Sequence, residues 1–222
     1  MSRLVTLDDV RRHPLTHPYL EKANEHSGRM GLNEHGFRHC GLVSSIAGNI
    51  LERLEYSERE VELARIAGYM HDVGNAVSRH DHGLTGALLT ERILRDLQMD
   101  GSEIATVIGA IGNHEEEHGQ PVSNVSAALI LADKSDVHRS RVRNEDIATF
   151  DIHDRVNYAV VRSFLNFDAN EKTVSLQLTI ETEICPVIEY FEIFLSRMLM
   201  CRRAAILLDV EFKLVVNGAF LL

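Results

Sequence analysis

Residues 57–74 read SEREVELARIAGYMHDVG, and this stretch sets the fold class for everything around it. Ser57 followed three positions later by Glu60 is a capping-box signature that opens a helix. Val61, Ala64, Ile66, Ala67 and Met70 then recur at helical spacing, and Gly74 offers a stop. The polar pair His71-Asp72 therefore falls at the carboxyl end of an apolar helix, where side chains leave the core and can meet a cleft. Working outward, Phe37, Leu42, Val43, Ile46, Ala47, Ile50, Leu51 and Leu54 predict a helix before it. Thr85–Leu97, Ser102–Ile111 and Asn124–Val137 predict three helices after it, the second opened by Ser102 with Glu103 in its first turn. No strand-like alternation interrupts this region.

After Val142 the texture changes. Arg155–Leu165 is expected to be helical, while Lys172–Ile180 alternates with the period of two of a half-buried strand. Glu211–Phe220 alternates again through Phe212, Leu214 and Val216 and contains Asn217-Gly218, a turn signal. Between them Ile184–Leu208 is a long apolar helix, with Pro186 near its start, where proline is tolerated. The expected fold class is mainly α: a helical core with a small C-terminal α+β appendage. The expected division is an N-terminal segment 1–36, a core 37–167 and an appendage 168–222 packed on it. Phe191, Phe194, Leu195, Met198, Leu199 and Ile206 are too many apolar groups to leave in water, so the long helix should face the core or a second copy in a homodimer.

The 222 residues can bury a sizeable core. With 33 acidic against 23 basic residues and a net charge of −10, an extended nucleic-acid surface is not expected, because phosphate backbones are held chiefly by Lys and Arg. A small anionic substrate needs only a local basic patch or a metal. Apolar runs are too short to span a membrane, and Met1–Val10 carries acidic residues rather than a basic, apolar leader, so a cytoplasmic protein is expected. Cys40, Cys185 and Cys201 are odd in number and widely spaced, which supports neither a disulfide framework nor a thiolate zinc site. Histidine stands out: 12 occur, all between His13 and His153.

His-Asp pairs also occur at His80-Asp81 and His153-Asp154, so the dipeptide alone decides little. Those two pairs lie in polar surroundings, unlike His71-Asp72. A neutral imidazole beside a carboxylate supplies a borderline nitrogen and a hard oxygen to a divalent metal. Further ligands must come from elsewhere. His39 lies in the first turn of the Phe37 helix, and Asp133 interrupts the apolar run Val125, Ala128, Leu129, Ile130, Leu131, Ala132. A carboxylate there is costly to bury unless it is paired or binds an ion.

His39, His71-Asp72 and Asp133 in this order resemble the HD superfamily of metal-dependent phosphohydrolases. The surrounding words fit as well: RHCGLV at 38–43, AGYMHDVGN at 67–75 and LADK at 131–134. The resemblance covers roughly residues 37–143. HGLTGA at 82–87 is similar to the sequence that follows His-Asp in bacterial diadenosine tetraphosphate hydrolases, and IGNH at 111–114 resembles their next metal histidine. It implies a dinuclear branch in which Asp72 bridges two ions and His82 and His114 complete the second site. Asp72, His82 and His114 would then take part in catalysis by a metal-activated hydroxide. NHEEEHGQP at 113–121 resembles the loop of HD-GYP phosphodiesterases but lacks Gly-Tyr-Pro. Asn113 stands where that pattern has histidine, and Asn75 where a lysine commonly follows His-Asp.

The resemblance thus implies hydrolysis of a small phosphorylated, nucleotide-like substrate with one or two divalent ions, Fe, Mn, Zn, Ni or Co. The alternative is a metal- or nucleotide-sensing module without turnover. Lys134, His138 and Arg141 fall on one face by their three-to-four-residue spacing, and suit substrate phosphates. Their plain alternative is a solvated basic face. His26, His35, His80, His118 and His138 are expected at the surface, and Glu115–Glu117 in a solvated loop, although one of these carboxylates could orient a metal ligand.

Overall fold

The computed structural model describes residues 4–168 and 170–221. The outermost residues of the segments 1–36 and 168–222, and position 169, lie outside the described residues. The molecule is mainly helical, with a small sheet at its C-terminal end.

Two helices not foreseen in the sequence, α1 (Leu7–Arg12) and α2 (Thr16–Arg29), precede the core. Thr6 caps α1 reciprocally with Asp9. The core follows as α3 (Phe37–Arg53), α4 (Glu58–Met70), α5 (His82–Asp96), α6 (Gly101–Gly112) and α7 (Asn124–Ser135). Ser57 caps α4 by accepting the backbone N–H of Glu60, as its spacing predicted. The helix expected from Ser102 starts at Gly101, because Asp100 is the residue whose side chain accepts the N–H of Ser102. α5 starts three residues before the expected Thr85: Asp81 turns the chain with φ 54, and His82 becomes the first helical residue.

α7 is the axis of the molecule. Every residue from Val125 to Ser135 is buried, and it packs on α3, α4 and α6 as well as on the C-terminal helix α9, Val187–Leu207. A helix apolar on all sides belongs in the centre of a core, and Asp133 rides on it into the interior. α3 and α4 meet closely because Gly68 faces the backbone of Ser44; a Cβ there would lie 2.7 Å from Ser44 Cα.

The expected helix over Arg155–Leu165 is corrected. Helix α8 covers only Ile152–Ala159, and the chain continues as strand β1, Val160–Asp168. β1 pairs antiparallel with β2 (Thr173–Ile180), and β2 runs parallel to β3 (Glu211–Val216), with α9 as the crossover. β4 (Ala219–Phe220) returns along β3 through Asn217-Gly218, both at positive φ, as a two-residue hairpin demands. The sheet thus has four strands in the order β1-β2-β3-β4 rather than the two expected. Its first strand hid in the sequence because it is an edge strand whose residues 165–168 are all partly buried on both faces, which blurs the period-two signal. Among the described residues, no helix is long and apolar enough to cross a membrane.

Candidate metal centre

Six side chains from five helices and their ends converge on one buried point. His39 comes from the first turn of α3, His71 caps the end of α4, Asp72 follows it, and His82 opens α5. His114 stands just past α6, and Asp133 on α7. His39 and His71 are fully buried, and Asp72, His82, His114 and Asp133 nearly so. The histidine Nε2 atoms and carboxylate oxygens form overlapping sets: His39, His71, Asp72; His71, His114, Asp133; and Asp72, His82, His114.

In the first group, Nε2 of His39 lies 3.2 Å from Nε2 of His71, 3.5 Å from Asp72 Oδ2 and 3.3 Å from Asp133 Oδ1. Nε2 of His71 lies 3.4 Å from Asp72 Oδ2 and 3.5 Å from Asp133 Oδ1. Ligands about 2.1 Å from a tetrahedral ion stand about 3.4 Å apart, so these edges match a coordination shell. In the second group, Nε2 of His82 lies 3.2 Å from Nε2 of His114 and 3.3 Å from Asp72 Oδ1. Asp72 turns one oxygen to each group.

The outer ring nitrogens explain why these atoms face inward. Nδ1 of His71 donates to Gly68 O at 2.9 Å, and Nδ1 of His114 to Ile111 O at 2.6 Å. Carbonyls only accept, so the proton sits on Nδ1 and the Nε2 lone pair is aimed at the centre. His39 uses Asp136 in the same way, Nδ1 to Oδ2 at 2.7 Å. Nδ1 of His82 has two acceptors at 3.2 Å, Arg79 O and Glu115 Oε1. Two such rings cannot meet Nε2 to Nε2 at 3.2 Å lone pair against lone pair; a cation or an added proton must stand between them. Asp72 Oδ2 carries the same message, because it is buried without a hydrogen-bond partner among the described residues, a costly state unless an ion takes that place. These residues fit a divalent metal.

The electrostatics agree. Burial pushes the carboxyls of Asp72 and Asp133 up, but His71 and His35 around Asp72, and Lys134 and His39 around Asp133, outweigh it and hold both well below the usual carboxylate range. Burial disfavours a proton on His82, yet Asp72 and Glu115 raise its pKa to about 9. Burial and the neighbouring His82 and His71 push His114 down to about 3. The centre is a trap for positive charge.

Above it lies a cavity of about 350 Å³, lined by His35, Arg79, Glu116, Lys134, Arg141 and Arg197 among others. Lys134, expected at the substrate, sits here, but it is ion-paired to Asp133 at 2.6 Å and Glu116 at 3.1 Å. Arg197 of α9 reaches the same Glu116 oxygen at 2.7 Å. Burial pushes Glu116 up, yet Lys134 and Arg197 hold it at about 2. Arg141 lines the cavity while donating to the carbonyls of Glu34 and Asp136. His138 does not join them. α7 ends at Ser135, so the helical face expected to carry Lys134, His138 and Arg141 does not exist; His138 bonds Val161 O and lines a separate cavity beside β1.

Several participants were not foreseen. His35, expected at the surface, is half-buried and lines the metal cavity, its Nδ1 2.6 Å from Asn33 O. Of the Glu115–Glu117 run, in which one carboxylate was expected to be able to orient a metal ligand, Glu115 accepts from Gly83 N–H and faces His82. Asp136 gave a usable signal, a second acid three residues after Asp133. Arg79 and Arg197 gave none, being single charges on a turn and a distant helix.

The helical core gathers histidines and aspartates from helix ends into one buried centre suited to a metal ion. Residues 36–155 match the HD domain, and the chain belongs to the HD domain family. The HD domain places the chain in the metal-dependent phosphohydrolase superfamily, whose members are generally hydrolases and bind divalent metals. The chain is 26% identical to an uncharacterized protein of Methanocaldococcus jannaschii, over 79% of this chain and 76% of that one. It is 27% identical to ribonuclease Y of Oceanobacillus iheyensis over 55% of this chain and 22% of the relative. With ribonuclease Y of Aster yellows witches'-broom phytoplasma it shares 29% identity over 55% of this chain and 21% of the relative. The chain spans only about a fifth of the length of those ribonucleases.

Proposed function

We propose that this protein hydrolyses a phosphoester or phosphoanhydride bond in a small nucleotide-like substrate at a dinuclear centre. His39, His71, Asp133 and Asp72 Oδ2 would hold one ion; His82, His114 and Asp72 Oδ1 would hold the other. When bound, divalent ions polarise a phosphoryl group and make water a nucleophile at neutral pH. The donor set, imidazole and carboxylate without thiolate, suits Mn, Fe, Co, Ni or Zn. The observation that carries the reading is Asp72, whose Oδ2 faces His39 and His71 and whose Oδ1 faces His82, while Oδ2 lacks any hydrogen-bond donor among the described residues.

The chain's own side chains supply the rest. Arg79, Arg141 and Arg197 line, beside Glu115, Glu116 and Glu117, a cavity of about 350 Å³, a size in the range of small-ligand sites. Guanidinium groups match phosphate oxygens in charge and donor geometry. Asp136, Gly68 O and Ile111 O hold the histidine rings, and Lys134 fixes Asp133. The similarity of 82–87 and 111–114 to diadenosine tetraphosphate hydrolases supports a nucleotide. The ribonuclease Y relatives are named for cleaving RNA, but the net charge of −10 favours a small substrate over a long polyanion. The reduced, buried cysteines are consistent with a cytoplasmic setting.

The test is a panel of a phosphomonoester, a phosphodiester, nucleoside mono-, di- and triphosphates and a dinucleoside polyphosphate, assayed with each of the five metals. Turnover of at least one nucleotide, lost on chelation, is expected. Stoichiometric metal with no turnover of any substrate would instead favour the sensing module.

A further inference from the structure

The outer face of α9 carries four large apolar side chains in water: Ile188, Leu195, Leu199 and Ile206 are 62%, 51%, 45% and 68% exposed. Their spacings of seven, four and seven residues read the same in both directions. At 3.6 residues per turn they fall within an arc of about 40°, so they form one straight stripe along the helix. Glu192 and Arg203 flank this stripe on the same side, both exposed and without an ion-pair partner among the described residues. The opposite face of α9 is already committed, since Phe194, Met198 and Cys201 are buried and Arg197 reaches Glu116 in the metal cavity.

We propose that this stripe is the interface of a homodimer in which α9 packs antiparallel against α9 of a second copy, about a two-fold axis level with residue 197. A two-fold contact must be self-complementary, and this stripe is. The axis sets Ile188 opposite Ile206 of the other copy, and Leu195 opposite Leu199. It also brings Glu192 of each copy within one residue's rise, about 1.5 Å, of the level of Arg203 of the other on the same flank, giving two symmetry-related ion pairs. A parallel pairing would align like with like and place Glu192 against Glu192. No other partner needs a stripe symmetric about its own midpoint. A single helix face is small beside the interfaces of permanent dimers, so the association is concentration-dependent. It also ties together the two copies of the helix that delivers Arg197 to Glu116.

Sedimentation equilibrium of the full chain tests the pairing. A reversible monomer–dimer equilibrium in the micromolar range is expected, and Leu195→Glu with Leu199→Glu should weaken it by at least about tenfold. Because both positions are exposed, circular dichroism should be unchanged. Glu192→Arg alone and Arg203→Glu alone should each weaken the dimer by setting like charges opposite each other, and the two combined should restore it. A wild-type chain that stays monomeric throughout this range overturns the proposal. So does a dimer indifferent to these substitutions, or a combined charge exchange no better than either single change.

Discussion

Asp136 accepts a hydrogen bond from Nδ1 of His39 at 2.7 Å, while Arg38 grips the same carboxylate oxygen at 2.8 Å. The pair turns Nε2 of His39 toward the metal centre and makes the ring a stronger donor to a cation. Burial alone would raise the Asp136 pKa, but His39 and Arg141 hold it far below the usual carboxylate range, so the anion persists at all ordinary pH.

Removing that anion should weaken metal binding without touching a ligand. Asp136→Asn is expected to cost about tenfold in metal affinity, and Asp136→Ala toward a hundredfold, the range for carboxylates behind metal-bound histidines. Titration of the metal-free protein with Mn²⁺ or Zn²⁺ reads this directly. Wild-type affinity in both variants would remove Asp136 from the centre.

Two glycines keep the ligand-bearing helices in place, and they should fail separately. A Cβ on Gly68 would lie 2.7 Å from Ser44 Cα and push α4 off α3, separating His71 from His39. A Cβ on Gly74 would lie 1.9 Å from His82 O and displace the start of α5. Each alanine substitution is expected to cost about 1–3 kcal/mol through overpacking, measurable by thermal unfolding. Gly74→Ala should preferentially lose the ion bound by His82 and His114.

Proton and metal should compete for His82. Its pKa in the folded chain is raised from 6.5 to about 9. In metal-free protein the protonated ring therefore stabilises the fold fully below pH 6.5, and this contribution is lost as pH rises toward about 9. A metal ion requires the unprotonated ring, so its apparent affinity rises through the same window. At one fixed metal concentration, the increase in Tm should be small at about pH 6 and larger at about pH 8.5. An increment that does not change with pH would contradict the placement of His82 at the ion.

Most of the helical core was legible because α3 and α4 carry apolar residues at helical spacing and α7 is a continuous apolar run, in which a lone acid such as Asp133 stands out. His71 and Asp72 were legible at the end of an apolar helix, His39 in a helix's first turn and Asp133 as an acid inside an apolar run, whereas His82 and His114 were legible only through the resemblance of 82–87 and 111–114. What the sequence could not show was support that is distant along the chain. Arg197 meets Glu116 only because α9 crosses back over α7, and Arg141 reaches Glu34 through a loop. His138 misled because the helix was extended past Ser135, where Asp136 and Val137 leave the helical path. β1 was misread because an edge strand half-covered on both sides shows little alternation.

The central claim is that Asp72 joins two ions, and metal content per chain tests it most directly. After metal loading and removal of excess, elemental analysis of the wild type should give two ions per chain. His82→Ala or His114→Ala should give one, held by His39, His71, Asp72 and Asp133, because each of those histidines serves a single shell. Asp72→Asn should retain neither at stoichiometric level, since one carboxylate serves both shells. Full metal content in Asp72→Asn would contradict the account, and a single ion in the fully loaded wild type would contradict its dinuclear form.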